Sequence, residues 1–422
     1  MTIDKGIGAS RRRVFPGAAC LALVLSASAC AEHTAGNTSG GAGVESGTSQ
    51  QEYVKAFEAV APITLEAQSA QPQGTGTKSF DDYFAALEDW SGGKVTINHA
   101  YSSSRVEATD VDAALGDGRL DIAVPLTMLK PQEYPRTRQF NILSTIPTNA
   151  IVPGTAGKAA SLQKVGLNDD GLGEEYERAG MKSLMPFQGA TGPRLFCTEE
   201  RTDLDDFAGV SIAAQGIEHS EMVEALGASH VSLPFTEYYE ALQRGVVDCV
   251  YSGVGSVATS GILDVAPFTT DSADANVTWN SAPIAMSADT WDALPLVAQQ
   301  LLWDRVDVLI ASALEQNLDQ NLVYEAALAE AGGSALQLAD DAVEAMNRAA
   351  AAQLARVEGE SPELVEQAQS AARESQDLVA EYGFGDGPES GAVTAWFESA
   401  DLDPAGLARA VYESAYLPLR PE

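Results

Sequence analysis

Residues 226–248 read LGASHVSLPFTEYYEALQRGVVD, and the unit that closes them, Ala241-Leu242-x-x-Gly245-x-x-Asp248, has a twin. It recurs as Ala114-Leu115-x-x-Gly118-x-x-Asp121, 127 residues upstream. In each copy an amphipathic helix ends on Ala-Leu, and the glycine supplies the left-handed residue that stops it. A short apolar strand follows at once, 246–251 in one copy and 121–124 in the other. The echo predicts two α/β lobes of related design.

The surrounding sequence extends each unit. Residues 63–68 (ITLEAQ) alternate like a strand. Residues 79–90 (SFDDYFAALEDW) place Phe80, Tyr83, Phe84 and Leu87 on one helical face. Ser79 reads as the N-cap, with Asp81 and Asp82 in the first turn. Gly92-Gly93 ends this helix; a strand at 94–100, a helix at 106–115 and the strand after Gly118 complete β-α-β-α-β, the pattern of a mostly parallel sheet. Residues 156–179 are helical, interrupted near 166–173. Strands at 181–186, 195–198 and 210–213, a helix at 220–226 stopped by Gly227, and a strand at 230–233 lead into the second copy. An apolar strand is expected at 283–286. From 295 to 331 no Gly or Pro follows Pro295, which predicts one long helix, or two nearly continuous ones, lying across both lobes. Residues 340–416 are Ala- and Glu-rich helix broken around Gly383–Pro388. A ligand of such a fold belongs between the lobes, outside the carboxyl ends of the strands.

Charge narrows the partners. The 422 residues include 60 acidic and 25 basic side chains, a formal −35. Without residues 1–29 the balance is 21 basic against 59 acidic, or about −38. Nucleic acid and anionic lipid need clustered Lys and Arg, so neither is an expected partner. Arg11-Arg12-Arg13 precede an uncharged 16-residue stretch, 14–29, too short to span a bilayer comfortably and laid out as an export signal. Ala27-Ser28-Ala29 before Cys30 has the form of a bacterial lipobox, with Ala27 where Leu is commoner; Cys30 then becomes the lipidated first residue. Arg12-Arg13-Val14-Phe15 also fits a twin-arginine pattern loosely. Residues 30–56 read as a flexible tether. No later apolar run reaches 18 residues, so membrane contact is expected through the lipid anchor alone, with the protein outside the cytoplasmic membrane or periplasmic. Cys197 and Cys249 remain in the mature chain, either disulfide-bonded or as two buried thiols.

Catalytic signatures are missing. The four histidines, His33, His99, His219 and His230, are scattered. There is no H-E-x-x-H, C-x-x-C, G-x-S-x-G, G-x-x-x-x-G-K or strand-linked G-x-G-x-x-G. Neither a metal nor a cofactor is expected, and an enzyme is disfavoured.

The segments 90–97 (WSGGKVTI), 114–122 (ALGDGRLDI), 192–198 (GPRLFCT), 203–212 (DLDDFAGVSI), 226–248 and 279–287 (WNSAPIAMS) together resemble one family. It is the DctP-like solute-binding proteins of tripartite ATP-independent periplasmic (TRAP) transporters. The resemblance implies a two-lobe periplasmic binding protein-like fold, hinged by strands, with a long lobe-spanning helix. Lobe I would take 57–190 and 282–335, and lobe II 191–281 and 336–422. It implies delivery of a small polar solute, a carboxylate by preference, to small and large TRAP membrane subunits. The resemblance places Arg194 and Asn280 in the cleft as solute contacts and Phe235 as an aromatic wall; an arginine fork suits a carboxylate. In the first lobe Gln68 and Glu107 match polar and acidic contacts. Tyr251 and Trp279 are cleft candidates by neighbourhood, with a core role as the alternative. Leu126 and Leu129 stand where sialic-acid binders are polar. One departure matters: Ala213 occupies the position of the family's principal arginine. Gln215, His219 or an arginine from elsewhere would have to substitute, or the solute is no carboxylate. The rival readings are a sensory ligand-binding protein, a binding protein of another importer class, and an extracytoplasmic enzyme on the same scaffold.

Overall fold

The computed structural model describes residues 42–189, 191–388 and 391–422. The expected export signal, Cys30 and residues 30–41 of the expected tether lie outside the described residues.

Two sheets organise the chain. The first contains β1 (Ile63–Gln68), β2 (Val95–Ala100), β3 (Ile122–Ala123), β4 (Met181–Met185) and β10 (Ile284–Ser287), in the order β2-β1-β3-β10-β4. β1, β2 and β3 run parallel, whereas β10 is antiparallel to both β3 and β4. The second sheet contains β5 (Pro193–Cys197), β6 (Ser211–Ala213), β7 (Ser229–Val231), β8 (Cys249–Gly253), β9 (Phe268–Asp271) and β11 (Ser334–Gln337), in the order β11-β9-β5-β8-β6-β7. Chain therefore passes between the sheets from β4 to β5, from β9 to β10, and again before β11. In the β5–β8 ladder Cys197 stands opposite Cys249, and a disulfide joins them.

The helix Lys78–Trp90 buries Phe80, Tyr83, Phe84 and Leu87, the face its spacing defines. Each such side chain contributes about 1.5–3 kcal/mol when buried. Ser79 is not its N-cap. The helix begins one residue earlier, and both the backbone N–H and the hydroxyl of Ser79 donate to Gln316 Oε1, each at 3.0 Å.

The helical stretch after Pro295 is broken once, at Arg305, into Leu296–Asp304 and Val306–Glu330. Its longer part joins two cores. Val306, Leu309, Ile310, Leu314 and Leu318 pack into the first sheet's core, and Tyr324 and Leu328 into a cluster on the second sheet. The C-terminal helices also divide. Asp340–Glu360 packs on Ile217–Ala225, whereas Pro362–Glu381 lies along Ile151–Leu167 and Pro404–Val411 lies along Val306–Glu330.

Part of the stretch read as tether is structured. Gln50–Phe57 is a helix whose Tyr53 and Phe57 are buried, because its aromatic residues fall at helical spacing. Arg420 pins this segment: it donates to the Val44 carbonyl and bridges Asp304, which also accepts from the hydroxyls of Tyr53 and Tyr412. Among the described residues no helix is long and apolar enough to cross a membrane.

Candidate functional site

A cavity of about 530 Å³ opens between the two sheets. Loops leaving the carboxyl ends of strands build it: 71–76 after β1, Leu126 to Leu129 after β3, Gln215 after β6, Phe235 and Tyr238 after β7, and 251–259 at the end of β8. The passages between sheets add Gln188, Gly189, Thr191 and Pro193 on one side and Trp279 and Asn280 on the other. Helix Val306–Glu330 supplies Gln316, Asn317, Gln320 and Val323.

Of the residues expected in the site, Asn280, Phe235, Gln215 and Tyr251 line this cavity, with Trp279, His219, Leu126 and Leu129. Asn280 Nδ2 donates to the Gln215 carbonyl at 3.1 Å, which turns its Oδ1 toward other partners. Gly216 (φ +86°) permits that approach, because a Cβ there would stand 2.8 Å from Asn280 Nδ2. Rings of Tyr251 and His219 meet edge-on at 4.8 Å. His219 Nε2 lies 2.9 Å from the Thr278 carbonyl, so it carries the proton, and Nδ1 of the neutral ring is an acceptor. Burial depresses the His219 pKa, which favours that neutral ring.

Arg194, Gln68 and Glu107 are not on the wall. Successive residues of a strand face opposite sides, so Arg194 shares the face of Phe196, against the helix Val306–Glu330. Its Nε meets Asp271 Oδ2 at 2.7 Å, Nη2 donates to Asn321 Oδ1 at 3.0 Å, and the guanidinium stacks 5.0 Å from the Tyr324 centroid. Gln68 is consumed locally: Oε1 accepts from the N–H groups of Arg105 and Val106, and Nε2 donates to the Val106 carbonyl. Glu107 is exposed at the start of the turn that precedes Val111–Gly116. Ala213 is fully buried among Phe196, Tyr238 and Val250.

Several wall residues escaped the sequence reading, notably Asn317, Gln316 and Tyr238. For Gln316 and Asn317 the one sequence signal is the polar run Glu315-Gln316-Asn317 and Asp319-Gln320-Asn321 in the middle of the helix. Three buried wall atoms have no hydrogen-bond partner among the described residues: Tyr238 Oη, Tyr251 Oη and Asn317 Oδ1. Polar atoms are seldom buried in that state unless a ligand or water completes them. Among the described residues no cluster of His, Cys, Asp and Glu fits a metal ion.

Comparison with known proteins agrees with this architecture. No curated protein matches the sequence significantly. Among solved structures, the ectoine-binding protein of the TeaABC TRAP transporter of Halomonas elongata superposes with a TM-score of 0.62 at 17% identity, covering 74% of this chain and 99% of that one. A Bordetella pertussis extracytoplasmic receptor binding pyroglutamic acid gives 0.60 at 16% identity, with 74% and 99% covered. A TRAP solute-binding protein of Roseobacter denitrificans with bound β-D-glucuronate gives 0.57 at 20%, with 73% and 99% covered. These likenesses show the two-lobe periplasmic binding fold. The family model described as "Bacterial extracellular solute-binding protein, family 7" matches residues 64–360. Members of that family are extracytoplasmic receptors that bind solutes and work with TRAP membrane subunits. The chain belongs to the DctP family of bacterial extracellular solute-binding proteins.

Proposed function

We propose that the protein is a lipid-anchored receptor on the outer face of the cytoplasmic membrane. It closes around one small polar organic solute and presents it to the small and large integral subunits of a TRAP importer driven by an ion gradient. The observation that carries this reading is the cavity of about 530 Å³ at the strand ends between two sheets, a size suited to a single small molecule. Two lobes would close by hinging at the inter-sheet passages. Against the bounds read from sequence, 57–190 with 282–335 and 191–281 with 336–422, residues 334–335 go with the second sheet and Pro362–Glu381 packs on Ile151–Leu167 of the first lobe. Leu129 and Val323, partly exposed apolar residues on the cavity wall, would meet the solute or the facing lobe on closure. The relatives' solutes, pyroglutamic acid, glucuronate and ectoine, all bear a carboxylate, in ectoine balanced by a cationic group of the same molecule, and this supports a carboxylate-bearing solute of one or the other kind. The protein does no chemistry on its solute in this reading.

Thermal shift of the purified protein against mono- and dicarboxylates, sugar acids, amino acids and polyols tests the receptor role. A ligand at one hundred times its Kd should raise stability by about 2.7 kcal/mol. The reading is lost when no compound shifts the transition and native mass spectrometry finds no co-purified small molecule. Anchoring has its own test: Cys30→Ser should move the protein from the membrane fraction to the soluble one.

A further inference from the structure

The cavity wall is uncharged. Among the described residues that line it there is no Asp, Glu, Lys or Arg. Arg194, the nearest candidate in sequence terms, is turned to the other face of its strand and neutralised by Asp271. Lys158 is not a wall residue either: its ammonium lies 4.1 Å from the Trp279 ring centroid and donates to the Thr148 carbonyl at 2.6 Å.

The wall also carries Gln, Ser and Thr side chains that can donate, but several of its amide and ring groups are oriented by their neighbours. Asn317 Nδ2 donates to the Ala313 carbonyl at 2.8 Å, which orients the amide and leaves Oδ1, a buried acceptor, without a partner among the described residues. Asn280 is oriented the same way by its bond to Gln215. His219 presents Nδ1 as an acceptor once Nε2–H is given to Thr278. Gln316 is the counterweight, since Ser79 occupies its Oε1 and leaves its NH₂ as a donor. The hydroxyls of Tyr238 and Tyr251 serve either way. An anionic carboxylate has no donor to satisfy three acceptors, and no guanidinium or ammonium compensates its desolvation.

Resting on the receptor reading above, we infer that the cleft selects a solute of zero net charge bearing several N–H or O–H donors, a polyol or a zwitterion, and discriminates against simple carboxylate anions. A carboxylate group enters only where a cationic nitrogen of the same molecule balances it. Aromatic faces of Tyr251 and Phe235 suit the apolar side of a polyol or a cationic nitrogen.

Matched probes test the charge term directly. Calorimetric titration of the full protein at pH 8 would compare D-galactose with D-galacturonate, D-glucose with D-glucuronate, and pyroglutamamide with pyroglutamate, with ectoine as the zwitterion. The expected result is binding by an uncharged or zwitterionic probe, at least tenfold tighter than any anion, with a Kd insensitive to salt. Asn317→Leu, which removes the buried acceptor, should weaken that Kd more than tenfold. Tighter binding of the acid in any pair, relieved by added salt, overturns the inference and leaves the receptor standing. Silence from every probe, together with no co-purified molecule, overturns both.

Discussion

Asp121 and Asp248 hold the same corner in the two sheets. Asp121 Oδ2 accepts the N–H of Glu66 at 2.7 Å, and Asp248 Oδ2 accepts the N–H of Ser211 at 2.8 Å. Each aspartate returns its own N–H to the carbonyl of that same residue, at 2.7 and 2.8 Å. Gly118 (φ +74°) and Gly245 (φ +67°) make the left-handed step before each corner. The repeated motif is therefore a joint between a helix and two adjacent parallel strands. Asp248→Ala leaves the Ser211 N–H without its carboxylate and should lower stability by about 1–3 kcal/mol. Urea unfolding measures this, and solute affinity should stay within about twofold. A large loss of affinity at unchanged stability would instead make Asp248 part of the site.

The disulfide between Cys197 and Cys249 closes 52 residues between neighbouring strands. In the chain-entropy account such a loop is worth about 4 kcal/mol. The double variant Cys197→Ser/Cys249→Ser should melt well below the oxidised protein, and reductant should lower the wild-type transition to a similar point. A transition indifferent to reductant would mean that strand pairing alone fixes this ladder.

Sequence patterning carried the two-lobe plan because each lobe keeps its own local signals. Residues 63–68 form β1 with the expected ends, and Gly118 and Gly245 stop their helices. Two strands were invisible. β9 (Phe268–Asp271) and β11 (Ser334–Gln337) lack apolar alternation and exist through pairing with partners distant in the chain. The same limit applies to the site. Family resemblance pointed to Asn280 and Phe235, which line the cavity, but the facing of Arg194 depends on strand phase and on Asp271, a residue with no local signature. The amide of Asn317 was hidden inside a helix whose role is set by two cores.

The unpartnered hydroxyls of Tyr238 and Tyr251 separate stability from binding. In the free protein they bond to none of the described residues, so Tyr251→Phe should leave the melting point unchanged or raise it slightly. In the liganded protein the lost bond should weaken the Kd about tenfold, equivalent to about 1.4 kcal/mol. Measuring both on one preparation checks the pair. A destabilised variant with unaltered affinity would make the hydroxyl structural.

Lys158 gives the fold a pH signature. It is fully buried, no carboxylate pairs with it among the described residues, and desolvation lowers its pKa to about 7. An unfolded chain keeps the ordinary value of about 10.4. Below pH 7 both states hold the proton, and the folded state bears the whole cost of a buried ammonium. Between pH 7 and about 10.4 the unfolded state binds more protons than the folded one, so this residue makes stability rise with pH across that window. From pH 6 to pH 9 the gain should be on the order of 2–3 kcal/mol. Lys158→Met removes the proton site and keeps most of the volume, at the cost of the Thr148 carbonyl's partner. The variant should therefore gain most on the wild type at pH 6, and that advantage should shrink steadily toward pH 9. Denaturant unfolding of both proteins at four pH values provides the comparison. Curves that run parallel across the whole range would show that Lys158 keeps its proton in the folded protein, held by the Trp279 ring and the Thr148 carbonyl.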